Sequence, residues 1–114
     1  MSDHRIIREI REDGTGGRYL IRLDGAADGA ADGAADGAAE GAEAELTWTV
    51  VSPGRVSADH TGVPDAFRGT GAGLALVTRL VADARAGGFK VMPRCPFVDA
   101  TRRKHPEWAD VFAA

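Results

Sequence analysis

The chain has 114 residues, of which 44% are hydrophobic and 27% are charged, and its formal net charge is -3. This length is typical of one domain, and the charge gives no electrostatic reason to expect a nucleic acid or an anionic membrane as partner. No apolar run approaches the ~18 residues of a membrane span, and the N-terminus lacks the apolar stretch of a signal peptide. The single cysteine, Cys95, excludes an internal disulfide framework and paired-cysteine zinc sites. We therefore expect a cytoplasmic monomer without a metal.

Two short strands are predicted at the start of the chain, over residues 5–12 and 18–23. The first, RIIREIRE, also fits one face of a helix, but the glycine-rich EDGTGG follows it too soon, which favours a strand. In the second, RYLIRL, Tyr19, Ile21 and Leu23 occupy every second position. Side chains that lie on one face of a strand have this spacing.

A low-complexity segment, LDGAADGAADGAADGAAEGAEAEL, repeats an acidic residue, glycine and two alanines with a period of four. Each glycine costs a helix roughly 1 kcal/mol relative to alanine, and the repeat offers no large apolar side chain that would pack in return. The spacing of its carboxylates does not match an EF-hand calcium loop. We interpret residues 24–43 as a solvated, flexible insertion at the tip of a hairpin.

Two more strands are predicted after the insertion, over residues 44–51 and 55–63, joined by the turn Ser-Pro-Gly. In the first of them, Leu46, Trp48 and Val50 alternate with threonines, which is typical of a strand with one buried face. Without the insertion, this strand would form a hairpin with the preceding one.

The second half of the chain predicts one main helix, a fifth strand over residues 89–92 and two short helices over residues 96–104 and 106–112. Each short helix begins with a proline, which suits the first helical position. Gly87 and Gly88 end the main helix. Its apolar face is predicted to comprise Leu74, Val77, Leu80, Val81 and Ala84. These elements predict an α+β fold for residues 1–114, with one mixed sheet of about five strands, one main helix and two short C-terminal helices.

The stretch DAFRGTGAGLALV places three alternate glycines, Gly69, Gly71 and Gly73, directly before the main helix. A dinucleotide-binding fingerprint would need glycine in place of Leu74, and an ATP-binding P-loop would need a lysine that is not present. What remains is a set of bare amides at a helix N-terminus, where an anion binds and Arg68 adds a charged contact. The alternative is a flexible loop before an ordinary helix.

Three motifs, HTGVPDAFRGTGAGLALV, KVMPRCPFV and HPEW, follow one another in an order and spacing that resemble the small YjdJ-type branch of the GNAT superfamily. The resemblance covers residues 18–112 apart from the repeat. GNAT proteins transfer acyl groups from acyl-CoA to amines, so the resemblance implies acetyl-CoA as donor and an unidentified amine as acceptor. It implies that the strand before the loop, as far as Val63, binds the pantetheine arm. It places the CoA pyrophosphate on Arg68, Gly69, Thr70, Gly71, Ala72 and Gly73.

The catalytic residues carry over less directly, because Gly62 stands where members of this branch often have glutamate. His60 is the best candidate for a replacement base, because histidine is the residue type best suited to proton transfer near neutrality. The alternative is a histidine that is fixed in the sheet or faces solvent. Cys95 precedes a predicted helix and follows Arg94, an environment that favours a thiolate, and the resemblance places it beside the donor. The alternative is a small buried hydrophobic residue.

Structural roles are favoured over chemical ones for the C-terminal HPEW motif and for the basic run before it. Trp108, Val111 and Phe112 are predicted to cover the core, which we favour over a direct chemical role for His105 in the HPEW motif. For the basic run Arg102, Arg103 and Lys104, the alternatives are attraction of CoA phosphates and a solvated helix end, of which the second is favoured.

The function predicted from the sequence is acetyl transfer from acetyl-CoA to an amine that loses its proton to a base and attacks the acetyl carbonyl. One alternative is a non-catalytic module that binds acyl-CoA. Another is an interaction domain whose acidic repeat recruits a basic partner. Deletion of residues 26–41 discriminates the last from the others.

Overall fold

The computed structural model describes residues 6–22, 43–67 and 69–112. Apart from Glu43, the predicted insertion lies outside these ranges, as does Arg68. The strands are β1 (Ile6–Ile10), β2 (Gly16–Arg22), β3 (Glu43–Ser52), β4 (Arg55–Gly62) and β5 (Lys90–Pro93). Within the described ranges, the α-helices are α1 (Ala72–Gly87) and α2 (Pro96–Arg103), and 3-10 helices span Asp65–Phe67 and Pro106–Trp108.

The five strands form one mixed sheet in the order β1-β2-β3-β4-β5. The first four are antiparallel neighbours in the order in which they follow one another along the chain. β5 pairs in parallel with β4, and this arrangement needs a crossover connection, which α1 supplies. The α+β class and the mixed five-stranded sheet predicted from the sequence are confirmed.

The core lies between the sheet and α1. The alternation of apolar residues places Tyr19, Leu46 and Trp48 on the face of the sheet that α1 covers. The helix buries Ala72, Gly73, Leu76, Val77, Leu80, Val81 and Ala84. This set confirms the predicted face of the helix except at one residue. Leu74 is 44% exposed, because it lies at the rim of the apolar stripe on a helix that turns by about 100° per residue.

The C-terminal segment packs beside the outer edge of β5. The amide of Val91 donates to the carbonyl of Val111 over 2.9 Å, and Val91 forms a parallel bridge with Phe112. This pairing draws the chain into an extended course, so the helix predicted over residues 106–112 is a single 3-10 turn. Trp108 and Val111 are buried, as predicted for a segment that covers the core.

Candidate functional site

Strand β4 continues past the point where its parallel partner ends. Pairing with β5 stops at Ala58, opposite Pro93, whereas pairing with β3 continues to Gly62. The amide of Cys95 then donates to the carbonyl of Ala58 over 2.9 Å, and the chain turns into α2. Over residues 59–62, no strand of the described chain pairs with β4 on this side. The backbone is therefore available to a ligand there.

A β-bulge lies at the start of this open stretch. Thr47 pairs with His60, but the next residue of β3 pairs with Ala58, so that Asp59 is the extra residue. The Asp59 carboxylate accepts hydrogen bonds from the hydroxyls of Thr49 and Ser57, which hold the bulge in place. The bulge decides which side chains of the open stretch point to which face of the sheet.

His60 and Gly62 lie on the face opposite α1. Their cross-strand partners are Thr47 and Glu45, whereas Thr61 pairs with Leu46 on the covered face. His60 is exposed, and its Nε2 atom lies 3.3 Å from the position that a Cβ of Gly62 would take. The imidazole therefore borders the space that a side chain at position 62 would occupy.

Cys95 lies on the other side of the open stretch, at the N-cap of α2. Its thiol donates a hydrogen bond to Oγ1 of Thr61 over 3.3 Å, and only 4% of the residue is exposed. The structure thus brings Cys95 to β4, as the predicted site requires. Its burial within the apolar core also matches the alternative of a small hydrophobic residue.

The glycine loop between β4 and α1 has two residues in the left-handed region. Gly69 has a φ of +79° and Gly71 a φ of +77°, values that L side chains rarely adopt. Apart from its chain neighbours, a Cβ at either position would meet no atom of the described residues within 4 Å, so the space before the loop is open. Thr70 closes the loop by donating its hydroxyl proton to the carbonyl of Phe67 over 2.6 Å and accepting from the amide of Ala72 over 3.2 Å.

Helix α1 begins at this open space. Gly71 is the N-cap, it provides no side-chain cap, and its carbonyl accepts the first helical hydrogen bond from Ala75. Within the described ranges, the amides of Gly73 and Leu74 have no acceptor, as expected for the first turn of a helix. These amides and the positive end of the helix dipole favour an anion.

Gly73 has a different role from the other two glycines. It is buried, and a Cβ there would lie 2.7 Å from Cζ of Phe97. The absence of a side chain thus lets α2 pack closely against the first turn of α1. The placement of Arg68, predicted to bind the same anion, lies outside the described residues.

A groove on the face of the sheet opposite α1 was not predicted from the sequence. It adjoins the open end of β4 and is lined by Arg18, Glu43, Glu45, Gly62, Val63 and Pro64. The end of the groove at β4 lies within the motif that begins at His60, but no motif marks Arg18, Glu43 or Glu45. The one sequence signal is that charged residues alternate with core residues on β2 and β3, which predicts a polar face but not the strand register.

Arg18 is the centre of an ion-pair network on this face. Its Nε atom contacts Glu9 at 2.7 Å, and its Nη1 atom contacts Glu45 at 2.9 Å and Glu43 at 3.5 Å. Hydrogen bonds to Glu9 and then Glu45 raise the pKa of Arg18 further above its ordinary value. The guanidinium therefore stays charged and holds these side chains in place.

The remaining polar residues singled out in the sequence have local partners. The ring of His105 stacks on that of Trp108, with centroids 4.2 Å apart, and its Nδ1 atom lies 3.0 Å from Glu107. Arg102 and Arg103 both form ion pairs with Asp99, one helical turn earlier. These contacts agree with a solvated end of α2 and with a C-terminal cover for the core.

Comparison with known families accounts for this arrangement. Residues 34–111, more than half of the chain, match the family described as GCN5-related N-acetyl-transferase. The chain belongs to this family. No curated protein matches it. Acyltransferase activity is therefore the general function of the chain. None of its described helices is long and apolar enough to cross a membrane.

Proposed function

We propose that the protein transfers an acetyl group from acetyl-CoA to an amine. The observation that carries the proposal is the meeting of the open end of β4 with the glycine loop at the N-terminus of α1. One feature offers an unpaired strand edge, and the other offers unpaired amides. Together they suit a ligand with an amide-rich arm and a pyrophosphate.

The loop has the form that a pyrophosphate needs. The open space at Gly69 and Gly71 lets phosphate oxygens approach the backbone, and the first turn of the helix supplies the unpaired amides of Gly73 and Leu74. We assign the pyrophosphate to the loop from Arg68 to Gly73. The hydroxyl of Thr70 shapes this loop through its contacts with Phe67 and Ala72.

The edge of β4 from His60 to Val63 is assigned to the pantetheine arm and the thioester. A backbone amide directed at the thioester oxygen would stabilise the negative charge that develops there during attack. Bound acetyl-CoA supplies the activated acetyl group. The chain contributes the amide donors and the orientation of the two reactants.

His60 is assigned as the base, because it is exposed on the open stretch and borders the space above Gly62. A protonated amine would lose one proton to the imidazole before it attacks. We assign Cys95 a place beside the acetyl group, where its hydrogen bond to Thr61 links α2 to β4. A Cys95→Ala variant that retains donor binding but loses turnover would support this assignment.

The donor site is tested at Gly71, because its positive φ limits which substitutions the loop tolerates. We expect Gly71→Asn to bind CoA more weakly than the wild type, and Gly71→Asp to bind at least tenfold more weakly than Gly71→Asn. Asparagine and aspartate have the same size, and asparagine tolerates this backbone conformation. Only aspartate carries a negative charge, which stabilises the helix N-terminus but repels phosphate. Isothermal titration with CoA and acetyl-CoA measures the affinities.

Thermal unfolding of the same variants provides the control. A negative charge at the N-terminus of α1 interacts favourably with the helix dipole. Gly71→Asp should therefore be at least as stable as Gly71→Asn. Equal CoA affinities for the two variants would contradict the pyrophosphate site. A folded wild-type protein that binds neither ligand would overturn the proposed function, and binding without turnover of any amine would favour the non-catalytic module. Membership of the YjdJ-type branch and a cytoplasmic location stay predictions.

A further inference from the structure

We propose that Glu45 binds the ammonium group of the acceptor and that the acceptor is a protonated alkylamine. This inference rests on the proposed acetyl transfer and assigns the groove beside the open end of β4 as the path of the acceptor. It begins with the register of the sheet. Glu45 lies directly opposite Gly62, on the same face of the sheet as His60.

The missing side chain at position 62 gives the acceptor its place. The space above Gly62 is bordered by Nε2 of His60, and the groove that contains Gly62 continues to Val63 and Pro64. Glu45 lines the same groove from the neighbouring strand. An amine above Gly62 would therefore lie between a carboxylate and the imidazole assigned as base.

Glu45 differs from the other carboxylate of the groove in its free hydrogen-bonding capacity. Both oxygens of Glu43 are engaged, one by Arg18 at 3.5 Å and the other by Arg22 at 2.8 Å. In Glu45, Oε1 accepts from Arg18 at 2.9 Å, whereas Oε2 has no partner among residues 6–22, 43–67 and 69–112. A carboxylate oxygen accepts more than one hydrogen bond, so Glu45 retains capacity for an ammonium group.

The charges of the groove favour a cation. Three carboxylates, those of Glu9, Glu43 and Glu45, share the guanidinium groups of Arg18 and Arg22, which leaves one negative charge uncompensated among these side chains. The side chain of Glu45 is 31% exposed, so its charge is partly shielded from water yet open to a ligand. A charged hydrogen bond in such a place discriminates between a protonated amine and a neutral one.

The protons balance in the following way. The ammonium group bound by Glu45 gives one proton to His60, which passes it to solvent. The free amine attacks the acetyl carbon, so that a C–N bond forms and the C–S bond breaks. The nitrogen then loses a second proton, which the departing CoA thiolate takes up. The products are an N-alkylacetamide and CoA with a free thiol.

The test compares Glu45→Gln with Glu9→Gln, using butylamine, which is protonated at neutral pH, and aniline, which is not. We expect Glu45→Gln to raise the KM for butylamine roughly 10- to 100-fold and to leave the KM for aniline within about twofold of the wild type. Glu9→Gln removes another carboxylate from Arg18 but does not alter the groove, so both KM values should stay at wild-type levels. Glu45→Asp should recover part of the loss for butylamine.

Several outcomes would overturn the inference while the proposed function stands. These are an unchanged KM for butylamine in Glu45→Gln, equal losses for both amines, or the same loss in Glu9→Gln. Titration of CoA into Glu45→Gln should give wild-type affinity, which separates the acceptor from the donor site. If the wild type acetylates neither amine, the inference is tested by binding instead. The NMR chemical shift of the Glu45 carboxyl carbon is then followed while butylammonium is titrated into the protein. A saturable shift supports the inference, and the absence of one refutes it.

Discussion

Tyr19 is the only tyrosine of the chain and connects the sheet to α1. Its ring is 1% exposed, and its hydroxyl donates to Oδ2 of Asp83 over 2.7 Å. The same carboxylate is held by Arg79 at 3.2 Å. Burial first, and then the hydrogen bond to Asp83, raise the pKa of Tyr19 above its ordinary range. A single side chain thus combines core packing with a polar bond to the helix.

We expect the native protein to show no tyrosinate absorbance at about pH 11, where an unfolded tyrosine is about 90% ionised. Since the pKa of Tyr19 is higher in the folded state, its contribution to stability is complete below about pH 10 and is lost as the pH rises further. Near-ultraviolet absorbance with and without urea measures the ionisation. Ionisation of the native protein with the ordinary pKa would contradict the prediction.

Tyr19→Phe provides the matched control. Loss of the hydroxyl should lower the free energy of unfolding by about 1–2 kcal/mol near neutral pH, because the bond to Asp83 is lost. The stability of this variant should depend less on pH above about 10, since it lacks the group whose pKa differs between the two states. Urea unfolding of the variant and of the wild type, near neutral pH and again above about pH 10, tests this difference.

Among the secondary-structure elements, the C-terminal segment is fastened to the end of α1. Arg85 contacts both carboxylate oxygens of Asp110, at 2.8 and 3.2 Å, and donates to the carbonyl of Glu107 over 2.8 Å. Lys90 donates to the carbonyl of Asp110. The segment is thus held from α1 and β5, which places Trp108 over the core.

We expect Asp110→Asn to lower the melting temperature at neutral pH by loosening this attachment. The hydrogen bond from Arg85 lowers the pKa of Asp110 below its ordinary value. The contribution of Asp110 is therefore present above the unfolded pKa of about 3.9 and is lost as the pH falls through the folded value. The difference in melting temperature from the wild type should shrink between about pH 4 and pH 2. Glu12→Gln, in the exposed β1–β2 turn, is the control and should show no such difference.

The strands could be predicted from the sequence because alternation is a local signal. Tyr19 and Ile21, and likewise Leu46 and Trp48, are buried on the face that their spacing predicted. The same signal was wrong at Val50, which is 40% exposed. Alternation identifies the face of a strand on which a residue lies, but it does not show how far along the strand the helix covers that face.

At the scale of the whole molecule, the site depends on register and on connections that the sequence does not encode locally. The glycine motif and the cysteine were found because each is a pattern within a few residues. Glu45, which we propose to bind the acceptor, was not singled out because its relation to Gly62 depends on how β3 pairs with β4 around the bulge at Asp59. The unpaired end of β4 likewise became visible only once β5 was placed beside it.

The pairing of β2 with β3 determines how the acidic repeat can be removed. Arg22 and Glu43 are cross-strand partners, and their side chains form an ion pair of 2.8 Å. The chain therefore leaves β2 and enters β3 at adjacent positions. Residues 23–42 can be replaced by Asn-Gly, because a two-residue turn joins adjacent antiparallel strands.

We expect this replacement to raise the free energy of unfolding by about 1–2 kcal/mol, since closing a shorter loop costs less entropy, and to leave CoA affinity unchanged. A Gly-Ser segment of the original length should match the wild type in both properties, which separates the effect of length from that of composition. Urea unfolding and titration with CoA provide the two measurements. A loss of CoA affinity in both variants would assign the acidic repeat to the donor site. Wild-type affinity in both, with loss of a basic partner, would instead favour the interaction hypothesis for that segment.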